Sequence, residues 1–141
     1  MTKVLVTGVT GFIGSFVAAS LMRNRQLDVV GIVRESSNTT VVKTNAPNLN
    51  LVSYSSDSDL ADCLELLAPQ YIVHIAACFA SDDEKCDMSQ LVNDNIKFGA
   101  LLLKFSPKQS LRGFINTCSY WQFDDEMNRS PVNYYAAAKN A

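Results

Sequence analysis

Lys3-Val4-Leu5-Val6-Thr7-Gly8-Val9-Thr10-Gly11-Phe12-Ile13-Gly14 is the stretch whose reading decides the fold. Lys3 to Thr7 is a short apolar run with the character of a buried strand. Phe12, Ile13, Phe16, Val17 and Leu21 then recur at helical spacing until Asn24. Gly8, Gly11 and Gly14 stand where strand passes into helix. Glycines at that junction let the backbone turn tightly and come close to a pyrophosphate, and the helix N-terminus adds N–H groups and positive dipole. A glycine triplet alone is a weak sign, because glycines also serve turns and close helix packing. Here a second strand follows at Asp28 to Val33, and the strand, helix, strand spacing favours phosphate binding.

The same alternation continues along the chain, as expected for strands and helices taking turns over a parallel sheet. Asn38 to Asn50, rich in Asn, Thr and Pro, reads as a loop or loose crossover, and Leu49 to Tyr54 as a third strand. Asp59 to Leu67 is helical in pattern and stopped by Pro69; Tyr71 to Ala77 is a compact apolar run suited to a central parallel strand. Ser81 and Glu84 form a capping-box pattern ahead of a long helix through Leu91, Val92, Ile96, Ala100 and Leu103, with Pro107 beyond it. Arg112 to Cys118 is the fifth strand, and Tyr134 to Ala141 has the composition of a helix. With no repeats, charge blocks or linker, the 141 residues read as one domain, 1–141.

Composition excludes several classes of function. With 12 Lys plus Arg against 14 Asp plus Glu, the net charge is -2, and there is no basic cluster to hold nucleic acid. The apolar runs fall far short of the roughly 20 residues that span a bilayer, and no secretory leader precedes the first strand. A cytoplasmic protein with neither nucleic-acid nor membrane partners is expected. Cys63, Cys78, Cys86 and Cys118 contain no C-x-x-C, and three lie in apolar segments, so buried thiols are expected in place of disulfides or a metal site.

Tyr135 and Lys139 are four residues apart in a helical segment, so both side chains lie on one face about a turn apart. A neighbouring ammonium stabilises phenolate and would lower the tyrosine pKa from its usual value of about 10, making the phenol a usable proton donor or acceptor. Tyr134 has no lysine at that offset. Ser119 ends the fifth strand in Phe114-Ile115-Asn116-Thr117-Cys118-Ser119-Tyr120-Trp121, at the sheet edge where open α/β folds place ligands, and its hydroxyl could polarise a carbonyl. Thr117 is the alternative. His74 reads equally well as a satisfied core histidine.

Thr7-Gly8-Val9-Thr10-Gly11-Phe12-Ile13-Gly14, spaced G-x-x-G-x-x-G, resembles the opening of the extended short-chain dehydrogenases/reductases, the NAD-dependent epimerase/dehydratase family. Ser119 ahead of Tyr135-x-x-x-Lys139 is similar to that family's catalytic pattern. His74-Ile75-Ala76-Ala77 and Asn95 with Gly99 resemble its H-x-A-A strand end and N-x-x-x-G helix. The resemblance covers essentially the whole chain and implies a Rossmann-like, doubly wound parallel sheet in an α/β fold. It also implies Ser119, Tyr135 and Lys139 as catalytic residues. Cofactor binding would fall to Thr7, Gly8, Thr10, Gly11, Phe12, Ile13 and Gly14, with Ala76, Ala77, Asn95 and Lys139 flanking the cofactor. Asp57 would lie near the adenine, although it equally suits a helix cap.

In such nucleotide-binding units an acid about 20 positions on from the glycines grips a ribose 2'-hydroxyl, whereas arginine accommodates a 2'-phosphate. The second strand ends Ile32-Val33-Arg34, which favours NADP, while Glu35 keeps NAD open; Arg34 as a plain solvated charge is the other reading.

Within the family, the segments around Asn95, Asn116 to Gln122 and Pro131 to Ala137 look most like CDP-linked deoxysugar reductases and their dehydratase-like relatives. That implies a nucleotide-sugar substrate and hydride transfer with Tyr135 moving the proton. Members of the family are about twice as long, so the resemblance implies an incomplete sheet without C-terminal strands or substrate lobe, truncated after Tyr135-x-x-x-Lys139. An uncovered sheet edge favours self-association. A catalytically silent nucleotide-binding module is the alternative function.

Overall fold

The computed structural model describes residues 1–79 and 82–141. In chain order the elements are β1 (Thr2–Thr7), α1 (Phe12–Leu21), β2 (Leu27–Arg34), α2 (Thr40–Asn45), β3 (Asn50–Tyr54), α3 (Asp57–Leu67), β4 (Tyr71–His74), α4 (Met88–Val92), α5 (Phe98–Phe105), β5 (Gly113–Asn116) and α6 (Tyr134–Asn140). Short 3-10 turns occupy Asp83–Lys85 and Tyr120–Gln122, and a π-helical stretch, Asn93–Lys97, joins α4 to α5.

Met1–Ala76 with Leu102–Asn116 forms one compact unit. It holds a five-stranded sheet in the order β3-β2-β1-β4-β5, with every neighbouring pair parallel. This is the Rossmann-type arrangement expected. Val4, Leu5 and Val6 in β1 and Val29, Val30, Ile32 and Val33 in β2 are all buried, as strands covered on both faces must be. Val4, Val6, Val29 and Val33 pack with Val9, Ala18, Val42, Ala46 and Leu49 on one face. By alternation Leu5, Val30 and Ile32 point to the other. α3 buries Leu60 and Leu64, a pair at i,i+4 on one side of the helix. The chain adds β2 and β3 on one side of β1 and then β4 and β5 on the other, so the direction of winding reverses between β1 and β4. The carboxyl ends of those two strands are where open α/β sheets leave a ligand crevice.

Several local expectations give way to packing. The buried residues of α1 are Gly14, Ser15 and Ala18, while Phe12, Ile13 and Phe16 are exposed. The helix ends at Leu21, before the expected Asn24. Only small side chains fit the face laid over the glycine turn, so the large apolar residues turn outward. Asn38 to Asn50 is no loop: it contains α2, whose Val42 is fully buried. Composition favoured a turn there, but burial of Val42 and Ala46 overrides weak propensity. α3 begins at Asp57, two residues before the expected Asp59, because Ser56 caps it by accepting the Asp59 N–H at 3.1 Å. Asp57 is therefore the first helical residue and not the cap. β4 stops at His74 and β5 at Asn116, both short of expectation, since beyond them the backbone leaves the ladder.

Ala77–Leu101 with Thr117–Ala141 forms the second unit. The expected capping box at Ser81 lies outside the described residues. From Asp82 onward the chain forms two short pieces in place of one helical start, with Asp82 accepting the Glu84 N–H at 3.0 Å and Asp87 accepting the Gln90 N–H at 3.1 Å. No disulfide joins the four cysteines; Cys63, Cys78 and Cys86 are half-buried and Cys118 is exposed, so they are not the buried thiols expected. Burial and then Asp59 and Asp62 push the Cys63 thiol pKa up, which keeps it protonated.

Candidate functional site

The glycine turn is closed by the end of β4. Gly8 has φ +70, a left-handed conformation that side chains disfavour, and a Cβ built on it would sit 2.6 Å from the Ala76 nitrogen. The Gly11 N–H donates to the Gly8 carbonyl at 3.0 Å. A Cβ on Gly14 would collide with that same carbonyl, so the helix approaches the turn only because position 14 is bare. α1 starts at Gly11 in extended conformation and has no side-chain cap on its first turn. Thr10 is half-buried, and Gly11, Phe12 and Ile13 are exposed beside it.

Beneath the turn, Thr7 is fully buried, and its hydroxyl accepts the N–H groups of Ile75 and Ala76, each at 3.1 Å. Both lone pairs being used, its proton goes to His74 Nδ1 at 2.8 Å. His74, 2% exposed, thus holds Nδ1 as acceptor, the satisfied core histidine that its position suggested. Thr7 thereby stitches the ends of β1 and β4, fixing the floor on which Gly8 turns. Arg34 is the exposed last residue of β2, in register with Tyr54, and Asp57 is exposed at the start of α3.

In the second unit, Asn133 caps α6 by accepting the Ala136 N–H at 2.8 Å, and Asp83 accepts the Tyr134 N–H at 3.1 Å. The helix so placed turns Tyr134 to solvent and buries Lys139, with Tyr135 half-buried between them. The Ser119 Oγ accepts the Trp121 N–H at 3.3 Å. The phenol ring meets Phe79 edge-on at 5.2 Å and Trp121 at 6.3 Å, the two rings themselves 5.6 Å apart. Ala77, exposed, opens the loop that carries Phe79. The Asn95 amide is engaged by this loop: Oδ1 accepts the Cys78 N–H and Nδ2 donates to the Cys78 carbonyl, both at 2.9 Å.

The ionisation of Tyr135 differs from the sequence expectation. Burial pushes its pKa up, and the Ser119 hydrogen bond only partly offsets this. Burial in turn pulls the Lys139 pKa down, against a smaller opposing influence from Cys118. Gln122, Phe79 and Asp83 were missed by sequence reasoning. Of these, Gln122 had a legible signal, since Ser119-x-x-Gln122 is itself a capping-box spacing.

A family model described as "NAD dependent epimerase/dehydratase family" matches residues 4–141. The chain belongs to this family of enzymes. Comparison with curated proteins gave no match. Among solved structures, the Bordetella bronchiseptica enzyme WbmH in complex with NAD+ is 26% identical, with TM-score 0.78 over 100% of this chain and 50% of that one. The UDP-glucose 4-epimerase of Thermotoga maritima with UDP-glucose is 24% identical, with TM-score 0.79 over 99% of this chain and 48% of its own. The UDP-glucuronic acid 4-epimerase of Bacillus cereus with UDP-glucuronic acid and NAD is 23% identical, with TM-score 0.78 over 99% and 49%. The chain thus spans about half the length of each of these proteins. Among the described residues, no helix is long and apolar enough to cross a membrane.

Proposed function

We propose that this chain is the cofactor-binding part of an NAD(P)-dependent epimerase/dehydratase or reductase acting on a nucleotide sugar. Tyr135 would be its general acid/base, assisted by Ser119 and Lys139. The observation that carries this reading is that Tyr135 and Lys139 share α6 one turn apart, with the Ser119 segment tied to that helix through the Gln122 amide. The nucleotide-sugar substrate is suggested by the UDP-sugars held by similar structures.

The residues present suit a dinucleotide. The bare positions at Gly8 and Gly14 form a cradle that any Cβ would fill, and the first turn of α1 is left without a side-chain cap. Thr7, Thr10, Gly11, Phe12 and Ile13 complete that turn, Ala76 backs it, and Ala77, Asn95 and Lys139 are the further candidates for cofactor contact. Asp57 suits the adenine end and Arg34 a ribose 2'-phosphate, hence NADP; the similar structures that hold a dinucleotide hold NAD. When bound, the nicotinamide supplies or takes the hydride at C4.

The chain's own residues then handle the proton. With its pKa raised by burial, the Tyr135 phenol keeps its proton at neutral pH and suits donation to a sugar oxygen as a carbonyl is reduced. The Ser119 hydroxyl would stabilise the phenolate left behind, and the Lys139 ammonium would hold a ribose hydroxyl.

Calorimetric titration with NADPH and NADH tests the cofactor half of the reading. Tighter NADPH binding that weakens about tenfold in Arg34→Ala, the loss of roughly one charge-assisted hydrogen bond, is the expected result. Preference for NADH, indifferent to Arg34→Ala, overturns NADP alone. Binding of neither overturns the cofactor reading. A chain that binds nucleotide yet transfers no hydride to or from a nucleotide sugar is the silent module instead.

A further inference from the structure

Gln122 belongs to none of the groups assigned above, yet it is only 4% exposed and its side-chain amide is used at both ends. Oε1 accepts the Ser119 N–H at 2.6 Å, and Nε2 donates to the Lys139 main-chain carbonyl at 2.9 Å. The main chain of Gln122 adds two bonds, its N–H to the Ser119 carbonyl at 3.2 Å and its carbonyl from the Ser130 N–H at 2.9 Å. One buried side chain therefore ties the residue that carries the hydroxyl to the turn of α6 that carries the ammonium. Tyr135 lies one turn earlier on that helix.

We propose that Gln122 is the positioning residue of the Ser119, Tyr135 and Lys139 group, setting the separation between the Ser119 segment and α6 through its bridging amide. The inference rests on Tyr135 being the acid/base group. Chemistry explains the choice of amide. A capping box is satisfied equally by glutamate, whose carboxylate also accepts the Ser119 N–H. Glutamate, however, would set an oxygen against the Lys139 carbonyl, and only glutamine offers an acceptor on one side with a donor on the other. The cap alone leaves that donor unexplained; the bridge to Lys139 uses it.

The test follows the ionisation of Tyr135 in the full chain, from the tyrosine ring-carbon NMR signal that disappears in Tyr135→Phe. Gln122→Met preserves volume and removes both amide bonds. Ser119 acts to lower the phenol's pKa, so a Ser119 no longer held should let it rise. The expected result is an upward shift in Gln122→Met, in the same direction as in Ser119→Ala, with no further shift in the double variant. A lower melting temperature with unchanged Tyr135 titration, or shifts that add in the double variant, would overturn the proposal.

Should Gln122→Met fail to fold, hydrogen exchange in the unaltered chain decides. The Ser119 amide is expected to be protected at least about a hundredfold relative to an unstructured peptide, and unprotected exchange would overturn the bridge. Neither measurement uses turnover. Hydride transfer between UDP-glucose and NAD+ that survives in Tyr135→Phe would sink the acid/base reading instead, and would be told apart from failure of the Gln122 bridge.

Discussion

The glycine turn of the first unit and the hydroxyl cluster of the second are built from opposite materials. At the turn, the shape depends on atoms that are missing: Gly8 and Gly14 lie where a Cβ would strike the Ala76 backbone or the Gly8 carbonyl. In the cluster the arrangement depends on polar groups that hold one another, the Gln122 side chain bonding both the Ser119 and the Lys139 main chain. The first arrangement fails by steric intrusion. The second fails by loss of a hydrogen bond or proton, so the two should respond to different substitutions.

Tyr135→Phe should have the largest effect and the most selective one. Hydride transfer between NAD+ and UDP-glucose, followed at 340 nm, is expected to fall between about 10²- and 10⁴-fold, the usual worth of a positioned acid/base group, while nucleotide affinity by calorimetry stays unchanged. Loss of affinity as well would break the separation between the two regions.

Gly8→Ala makes the reverse demand. Positive φ and the close Ala76 backbone leave no relaxed place for a methyl group, and destabilisation of about 3 kcal/mol is expected. It would be read as a lower urea midpoint at unchanged slope, together with loss of nucleotide binding. An alanine variant as stable as the parent would show that the turn is not defined by missing atoms.

Thr7→Val sharpens the contrast, because beneath the turn a side chain does matter. Removing the hydroxyl takes a partner from two backbone N–H groups and from His74, at an expected cost of about 2 kcal/mol in chemical denaturation. Thr7→Ser keeps that oxygen and should recover most of it.

The smallest effect has the opposite sign. Burial depresses the Lys139 pKa from 10.5, so the folded chain disfavours the charged form. That penalty is fully present below the folded pKa, and stability is recovered only as pH rises towards 10.5. Lys139→Met should therefore raise the melting temperature by a few degrees at pH 7, with the gain vanishing above the unfolded lysine pKa. An unchanged or lower melting temperature at pH 7 would show that the ammonium is well solvated or paired.

The difference between the regions also explains what could be read ahead of the structure. Gly8, Gly11 and Gly14 announce their job because little else demands three bare positions between a strand and a helix. The alternation of apolar runs announced the five parallel strands; β1 and β2 are each buried through several consecutive residues, whereas β3 and β5 bury none fully. α2 was not legible: its six residues, Thr-Val-Val-Lys-Thr-Asn, carry weak helix propensity, and only burial of Val42 makes the helix worthwhile. The outward turn of Phe12 and Phe16 was hidden for a related reason, as periodicity gives a helix's faces but not which one the sheet accepts. Tyr135 and Lys139 were visible as a spacing. The raised phenol pKa was not, because it comes from burial beside Phe79, 56 residues away along the chain.

The sequence by itself determined the order of the five strands, the site of the tight turn and the shared face of Tyr135 and Lys139. Each depends on residues within a few positions of one another. Tertiary structure alone decided that Thr7 joins β1 to β4 through His74, Ile75 and Ala76, and that Gln122 bridges to Lys139. Those outcomes turn on burial and on bonds between distant residues, whose strength depends on how much water the fold removes from around them.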